Sequence, residues 1–372
     1  MPMFRRTLIF LKILPALLLA PAALAELELL TQPSFNHRLA DKAVLMSIQP
    51  VGQHFLVAGE HGILLDWRDS GRWLQQPSPV SVALTSVTEL ADGSRIAVGQ
   101  DAVILVSKAG TSHWRKTFDG YELSRLQLAA LEQKQQQLQQ QRDQLGPEQD
   151  AAELDIQHEE LGYSLDDNKA DLVTGPNKPL LSIVSAKNGS VFAVGAYGTL
   201  LKSTDQGEHW QLQDSLLDNP DKFHLNAITV TADGALYLVG ENGLAFSSTS
   251  NGESWDALNV PYDGSLFGIV AHGAHLVAFG LQGNILRSHD HGATWQTLAV
   301  NTSSSLLGGT INAAGDVVLV GHGGVIVTFN VARPDAAMLL KHPSGAAFSA
   351  VAQRDNTFIL VGQFGMTVWN KP

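Results

Sequence analysis

From about residue 40 onward, the apolar positions fall into short runs, each closed by a glycine and bounded by polar turn residues. The runs are Phe55–Gly59, Ile96–Gly99, Phe192–Gly195, Leu236–Gly240, Leu276–Gly280, Val317–Gly321 and Phe358–Gly362. They are too short for helices and rich in β-branched and aromatic residues, so each predicts a strand. Three residues beyond Gly59, Gly99, Gly195, Gly240, Gly280, Gly321 and Gly362 stand Gly62, Ala102, Gly198, Gly243, Gly283, Gly324 and Gly365. A small residue at that spacing predicts a tight turn needing positive φ or close backbone approach, so each Gly-x-x-Gly joins two strands.

Successive first glycines lie 40, 96, 45, 40, 41 and 41 residues apart. A period near forty is the length of a four-stranded propeller blade, which predicts an all-β, seven-bladed β-propeller. The single long interval places an insertion between blades 2 and 3. Trp114, Trp210, Trp255 and Trp295 follow their first glycine by fifteen residues and Trp73 by fourteen. Ahead of three of them the chain reads Ser-x-Asp-x-Gly-x-x-Trp: Ser203, Asp205, Gly207 and Trp210; Ser288, Asp290, Gly292 and Trp295; and a worn copy at Ser248, Gly252 and Trp255. The pattern predicts a hairpin turn between third and fourth strands, with Asp capping its own backbone, Gly left-handed and Trp covering the blade edge.

The period changes between Tyr121 and Asp167, where Gln, Glu, Leu and Ala replace the β-formers. Leu131, Leu138 and Leu145 are spaced by seven, as are Leu154 and Leu161, with Gly146-Pro147 between them. This predicts a two-helix hairpin with a thin apolar stripe, marginal alone, which reads either as a decorative surface hairpin or as a docking arm for a partner. Lys169–Pro179 reads as the linker back. Strand connectivity places the arm on the Gly-x-x-Gly face, opposite the Asp-containing turns.

The seventh copy stops soon after Gly365, without residues for a fourth strand. Leu27–Gln32, just ahead of the first inner strand, is expected to supply it and so close the ring. Arg5 and Arg6 precede an apolar run, Leu8–Leu19, and Ala23-Leu24-Ala25 supplies small residues at the cleavage positions, so 1–25 reads as a signal peptide cut after Ala25. The chain then divides into the leader over 1–25, blades one and two over 26–120, the hairpin and linker over 121–179, and blades three to seven over 180–372. An exported, periplasmic protein with no membrane span after cleavage is expected.

The 372 residues include no cysteine, which excludes disulfides, thiol catalysis and thiolate metal sites. The formal charge is −12, and loss of Arg5, Arg6 and Lys12 with the leader leaves 21 basic against 36 acidic side chains, about −15. That balance argues against nucleic acid or an anionic membrane surface as partner.

The Ser-x-Asp-x-Gly-x-x-Trp spacing resembles the Asp-box, or BNR-repeat, propellers. In its seven-blade form the chain is similar to the Ycf48/Hcf136 family of photosystem II assembly factors and their relatives in proteobacteria. The resemblance spans most of the mature chain. It implies a non-catalytic exported scaffold or assembly factor without cofactor, acting on a membrane-protein partner such as an RND-type transporter. Photosynthetic members are implied to use an arginine-rich patch, from which this acidic sequence departs. Sialidases, sortilin-type receptors and cellulose-active enzymes resemble the repeat equally, so the alternative is a sialidase-like glycoside hydrolase or a glycan-binding propeller.

A sialidase-type site needs three converging arginines, a tyrosine nucleophile with a glutamate, and an acid/base aspartate. Arg115 and Arg125 flank the insertion, Arg142 lies within it, and Arg68, Arg72 and Arg287 approach the Asp-containing turns; Arg38, Arg95, Arg333 and Arg354 complete the set. No catalytic residue is assigned. His289-Asp290-His291 reads as exposed turn residues, and His61, His272, His275 and His322 are expected near loops of the opposite face; no metal ligand is assigned.

Overall fold

The computed structural model describes residues 29–68, 72–145, 151–354 and 357–371. The leader and its cleavage site lie outside them. Blade one comprises β1 (Leu45–Val51), β2 (His54–Gly59), β3 (Leu64–Trp67) and β4 (Trp73–Gln76), and blade two β5 (Leu84–Glu89), β6 (Arg95–Gly99), β7 (Ile104–Ser107) and β8 (Trp114–Phe118). Two helices follow, α1 (Gly120–Asp143) and α2 (Ala152–Thr174). Blade three is β9 (Leu180–Ser185), β10 (Val191–Gly195), β11 (Leu200–Ser203) and β12 (Gln211–Leu212); blade four is β13 (Leu225–Val230), β14 (Leu236–Gly240), β15 (Ala245–Ser248) and β16 (Asp256–Ala257). Blade five is β17 (Leu266–His272), β18 (His275–Gly280), β19 (Ile285–Ser288) and β20 (Gln296–Thr297); blade six is β21 (Leu306–Ile311), β22 (Asp316–Gly321), β23 (Val325–Asn330) and β24 (Arg333–Lys341). Blade seven is β25 (Phe348–Arg354), β26 (Thr357–Gly362) and β27 (Gly365–Asn370). The chain is a seven-bladed β-propeller with a helical hairpin between blades two and three.

Why the second strands read as continuous apolar runs is visible in the packing. Ile96 and Val98 of β6 enter the cluster shared with blade three, while Ala97 between them enters the cluster shared with blade one. Seven such clusters lie between successive blades, and the last joins Ile359 and Val361 of blade seven to Leu45, Phe55 and Val57 of blade one. Each tryptophan at or just before the start of a fourth strand seals the cluster shared with the preceding blade: Trp114 against blade one, Trp210 against blade two, Trp255 against blade three, Trp295 against blade four, and Trp73 against blade seven.

The two glycines of the repeat act by different means. At Gly280 a Cβ would lie 2.1 Å from the carbonyl oxygen of Ser265, the group that accepts the Leu281 N–H at 2.9 Å. Its φ of −176° is ordinary extended backbone, so close approach alone requires glycine there. Gly283, by contrast, has φ +75°. Ala102 takes the same left-handed place at φ 51°.

Blade seven corrects the expectation for Leu27–Gln32. Leu27 and Glu28 lie outside the described residues, Leu29–Gln32 form no strand, and among the described residues the sheet of blade seven has three strands. Leu30 instead buries beside Val80, Val82 and Leu84, and the Ser81 N–H donates to Leu29 O at 2.8 Å. The apolar side chain finds a deeper site at the blade one–two boundary than an exposed edge offers. The segment then passes Gln75, whose amide donates to Phe35 O at 2.7 Å and accepts the His37 N–H at 2.9 Å, and reaches blade seven at a short 3₁₀ turn, Ala40–Lys42.

There the segment does what a connection between blades does elsewhere. A Cβ on Gly365 would lie 1.9 Å from Asp41 O, just as one on Gly243 would lie 1.8 Å from Tyr262 O in blade four. Inter-blade hydrogen bonds repeat as well: Thr85 Oγ1 donates to Leu180 O at 2.6 Å, Asn226 Nδ2 to Leu266 O at 2.9 Å, and Ser349 Oγ to Leu45 O at 2.6 Å. Among the described residues blade seven is thus joined to blade one by face packing and a connecting segment, without a shared strand.

Candidate functional site

The Asp-containing turns consume their own polar groups. Ser203 Oγ accepts the Gly207 N–H at 2.9 Å and donates to Asp205 Oδ1 at 2.9 Å; Asp205 Oδ1 also accepts the His209 N–H. Ser288, Asp290, Gly292 and Thr294 repeat this arrangement, and Ser248 serves Gly252 in the worn copy, with Ser250 in the Asp place. Thr294 Oγ1 donates to Asp290 Oδ2 at 2.5 Å; this bond, then the one from Ser288, holds the Asp290 carboxyl well below the usual range. Slight desolvation pushes Asp205 up, but the donors from His209 and Ser203 outweigh it and leave that carboxyl lowered. Carboxylates held ionised in this way suit capping and are poorly placed to act as general acids.

The same turns lash neighbouring blades. Thr117 Oγ1 donates to Gly207 O at 2.8 Å, Arg115 pairs with Glu208, and the buried Lys202 ammonium donates to Asn251 O at 3.1 Å and Glu253 at 2.5 Å. The arginines are dispersed on such duties: Arg95 pairs with Glu89, Arg125 with Glu122, Arg142 with Asp155, and Arg354 lies over the Phe55 ring. Arg95 also reaches His54 at 3.3 Å, and His54 lies 3.8 Å from Asp66, the partner of Arg68. His272 and His275 pair with each other across the β17–β18 hairpin, whose Ala274 O accepts the His291 N–H of the blade-five turn. They therefore sit on the Asp-turn face, not opposite it as expected, because a first-to-second-strand hairpin shares that face. His61 and His322 lie in Gly-x-x-Gly turns. Among the described residues no group of three or more His, Asp or Glu side chains has metal-holding geometry.

The Gly-x-x-Gly face presents a different surface. The residue after the first glycine folds back to bind the start of the inner strand: Glu60 accepts the Val44 N–H at 2.9 Å and Glu241 that of His224 at 2.9 Å. The next residue points outward, and it is Tyr197 in blade three, edge-on to His224 at 5.0 Å, and Phe364 in blade seven. Tyr197, Leu281 and Phe364 are all exposed, as are Phe35 and Leu39 in the segment crossing blade one. Sequence reasoning passed over these residues; their signal was an aromatic at a turn position otherwise polar.

The helical arm starts on this face. Asp119 caps α1 by accepting the Tyr121 N–H at 3.1 Å, and Gly120 fits only because a Cβ would meet Pro176 at 2.1 Å and Asp101 O of the blade-two turn at 2.9 Å. Leu123 is buried with the blade two–three cluster, and Leu126 packs there beside Leu212 of β12. α2 runs on through the residues read as linker, where Lys178 pairs with Asp171 at 2.6 Å and donates to Gln127 at 2.9 Å. Leu131, Leu138, Leu154 and Leu161 meet, together with Leu128 and Leu165, as the hairpin's own core. That corrects their reading as docking residues, since their faces are spent on each other; Leu145 lies past the end of α1 and outside the cluster. The large apolar side chains that the arm leaves exposed are Ile156, Tyr163 and Val173, all on α2, a helix rich in Asp and Glu.

The model of the family described as "Photosynthesis system II assembly factor YCF48" matches residues 168–349. Among solved structures, "YCF48 bound to D1 peptide" is 14% identical with a TM-score of 0.58, covering 90% of this chain and 98% of that one. YCF48 from Cyanidioschyzon merolae is 11% identical with a TM-score of 0.57, covering 88% and 95%. The WD40 propeller domain of Doa1, 10% identical with a TM-score of 0.59 and covering 91% and 95%, shares the fold. No curated protein matches the chain. The chain is therefore a seven-bladed β-propeller that is similar to the Ycf48 family over blades three to six.

Proposed function

We propose that the chain is an exported, non-catalytic assembly factor that holds a segment of a membrane-protein partner on its Gly-x-x-Gly face, with the helical arm extending that surface. The observation that carries the reading is the Ycf48 family match, joined to a neighbour of the same fold bound to a D1 peptide. The face supplies exposed Tyr197, Leu281 and Phe364 on rigid turns, and amphipathic aromatics so held are suited to gripping a peptide. On the opposite face Ser203, Asp205, Ser288 and Asp290 are occupied in capping, and Arg115 and Lys202 in lashing neighbouring blades. Export rests on the leader-like first 25 residues, and an RND-type transporter is the partner class named by the family resemblance.

Photo-crosslinking in cells tests it, with the reactive residue placed at Tyr197, at Ile156 on the arm, or at His291 on the opposite face. Adducts to one membrane protein are expected from the first two positions and none from His291. Adducts from His291 alone, cytosolic adducts only, or hydrolysis of a glycan panel by purified protein would each overturn the reading.

A further inference from the structure

We propose that the edge of β27, which no strand among the described residues covers, receives an extended segment of a partner protein as the fourth strand of blade seven, with a large aromatic side chain opposite Trp369. The inference goes beyond the face-and-arm reading, because it concerns the outer rim of one blade. Blade one supplies the template. Phe55 pairs with Trp67 across β2 and β3, their rings 5.5 Å apart and tilted by 48°, and Trp67 pairs in turn with Trp73 of β4. In blade seven Phe358 pairs with Trp369 across β26 and β27 at 5.4 Å and 50°, and no further strand follows among the described residues.

The register of blade one carries over strand by strand. Trp369 stands where Trp67 does, Val368 where Asp66 does, Thr367 where Leu65 does and Met366 where Leu64 does. Opposite those four, blade one places Trp73, Leu74, Gln75 and Gln76. Asp66, covered by β4, is 5% exposed; its counterpart Val368 is 52% exposed. The edge Gly365–Asn370 carries no charged side chain, proline or bulge, the usual devices against strand addition. An antiparallel segment reading aromatic, apolar, polar, polar from its N-terminal end fits it, and that segment would leave the edge beside Phe364 on the Gly-x-x-Gly face.

The probe is a capped peptide with the sequence of residues 71–77, which is β4 with its flanks. Hydrogen exchange of the backbone amides of residues 366–370 is followed in the full chain with the peptide at about 1 mM, since strand addition by a short peptide is weak. Slower exchange confined to β27 is expected. Serine in place of the peptide's tryptophan should weaken binding roughly tenfold, because the ring's burial and stacking are lost. Val368→Lys should weaken it about threefold by the loss of one cross-strand pair, with unchanged melting because the side chain is exposed.

No protection at β27, or equal protection by a scrambled peptide, overturns the inference. Concentration-dependent dimers cross-linked through position 368 assign the edge to a second copy, and protection already present in the free chain but lost without residues 1–28 assigns it to this chain's own N-terminal segment; either result also overturns it. A chain with residues 121–174 replaced by a short linker should bind the probe unchanged, so the arm reading and the edge reading fail separately.

Discussion

Gly365→Ala isolates the contact by which blade seven meets the start of the chain. The added Cβ would lie 1.9 Å from Asp41 O and 2.6 Å from Lys42 Cα, both backbone atoms that cannot rotate away. Holding alanine at φ +81° costs about 1–2 kcal/mol, the ordinary penalty of left-handed backbone. Relieving the overlap, by withdrawing Ala40–Lys42 from blade seven, adds about 2–3 kcal/mol, the upper part of the span for overpacked sites, because both atoms in the way are backbone. Gly110→Ala is the control: its φ of +71° carries the same backbone penalty, but nothing lies within 4 Å of the new Cβ. The difference between the two variants is therefore the closure itself. With about 0.7 kcal/mol/K of unfolding entropy for a chain of this length, Gly365→Ala should melt roughly 3–4 °C below Gly110→Ala by calorimetry. Both should retain a single transition if the ring unfolds as a unit. Melting within about 1 °C of the control would mean that the 40–42 segment does not hold blade seven, and the account of ring closure would be wrong.

Ser349→Ala and Thr85→Val each remove one inter-blade hydroxyl bond of 2.6 Å, and each should cost about 1 kcal/mol in denaturant unfolding; a much smaller loss for Ser349→Ala would show the seven–one junction to be unlike the others. Asp290 is depressed when folded, so its contribution is present above the unfolded value of about 3.9 and fades as pH falls below it. Asp290→Asn should accordingly lower Tm at pH 7, with the gap from the parent protein closing below about pH 4; a gap independent of pH would contradict the capping role. Leu161→Ala should cost the arm about 2–4 kcal/mol and reduce the helical circular dichroism signal while the propeller melt stays in place. A propeller transition shifted by the same amount would show that the arm's core is shared with the ring.

The repeat was legible because each of its parts answers a local demand. Gly280 is required by a carbonyl one strand away, Gly283 by a backbone angle, and Asp290 by N–H groups within four residues. Such demands recur at fixed spacing and survive as spacing. The helical hairpin was legible for a similar reason, since the step from period 2 to a heptad shows in composition. The role of its leucines was not. A stripe looks the same whether it faces a partner or a second helix, and only the packing of Leu138 on Leu161 and Leu165 distinguished the two.

The sequence by itself therefore determined the number of blades, the place of the insertion and the chemistry of the turns. Tertiary structure alone decided where Leu30 buries, how blade seven meets blade one and which strand edge lacks a partner strand among the described residues. The physical reason is that turns and runs are set by neighbours a few residues away. The cover for an edge is chosen among competitors hundreds of residues apart, by whichever arrangement removes the most apolar surface from water.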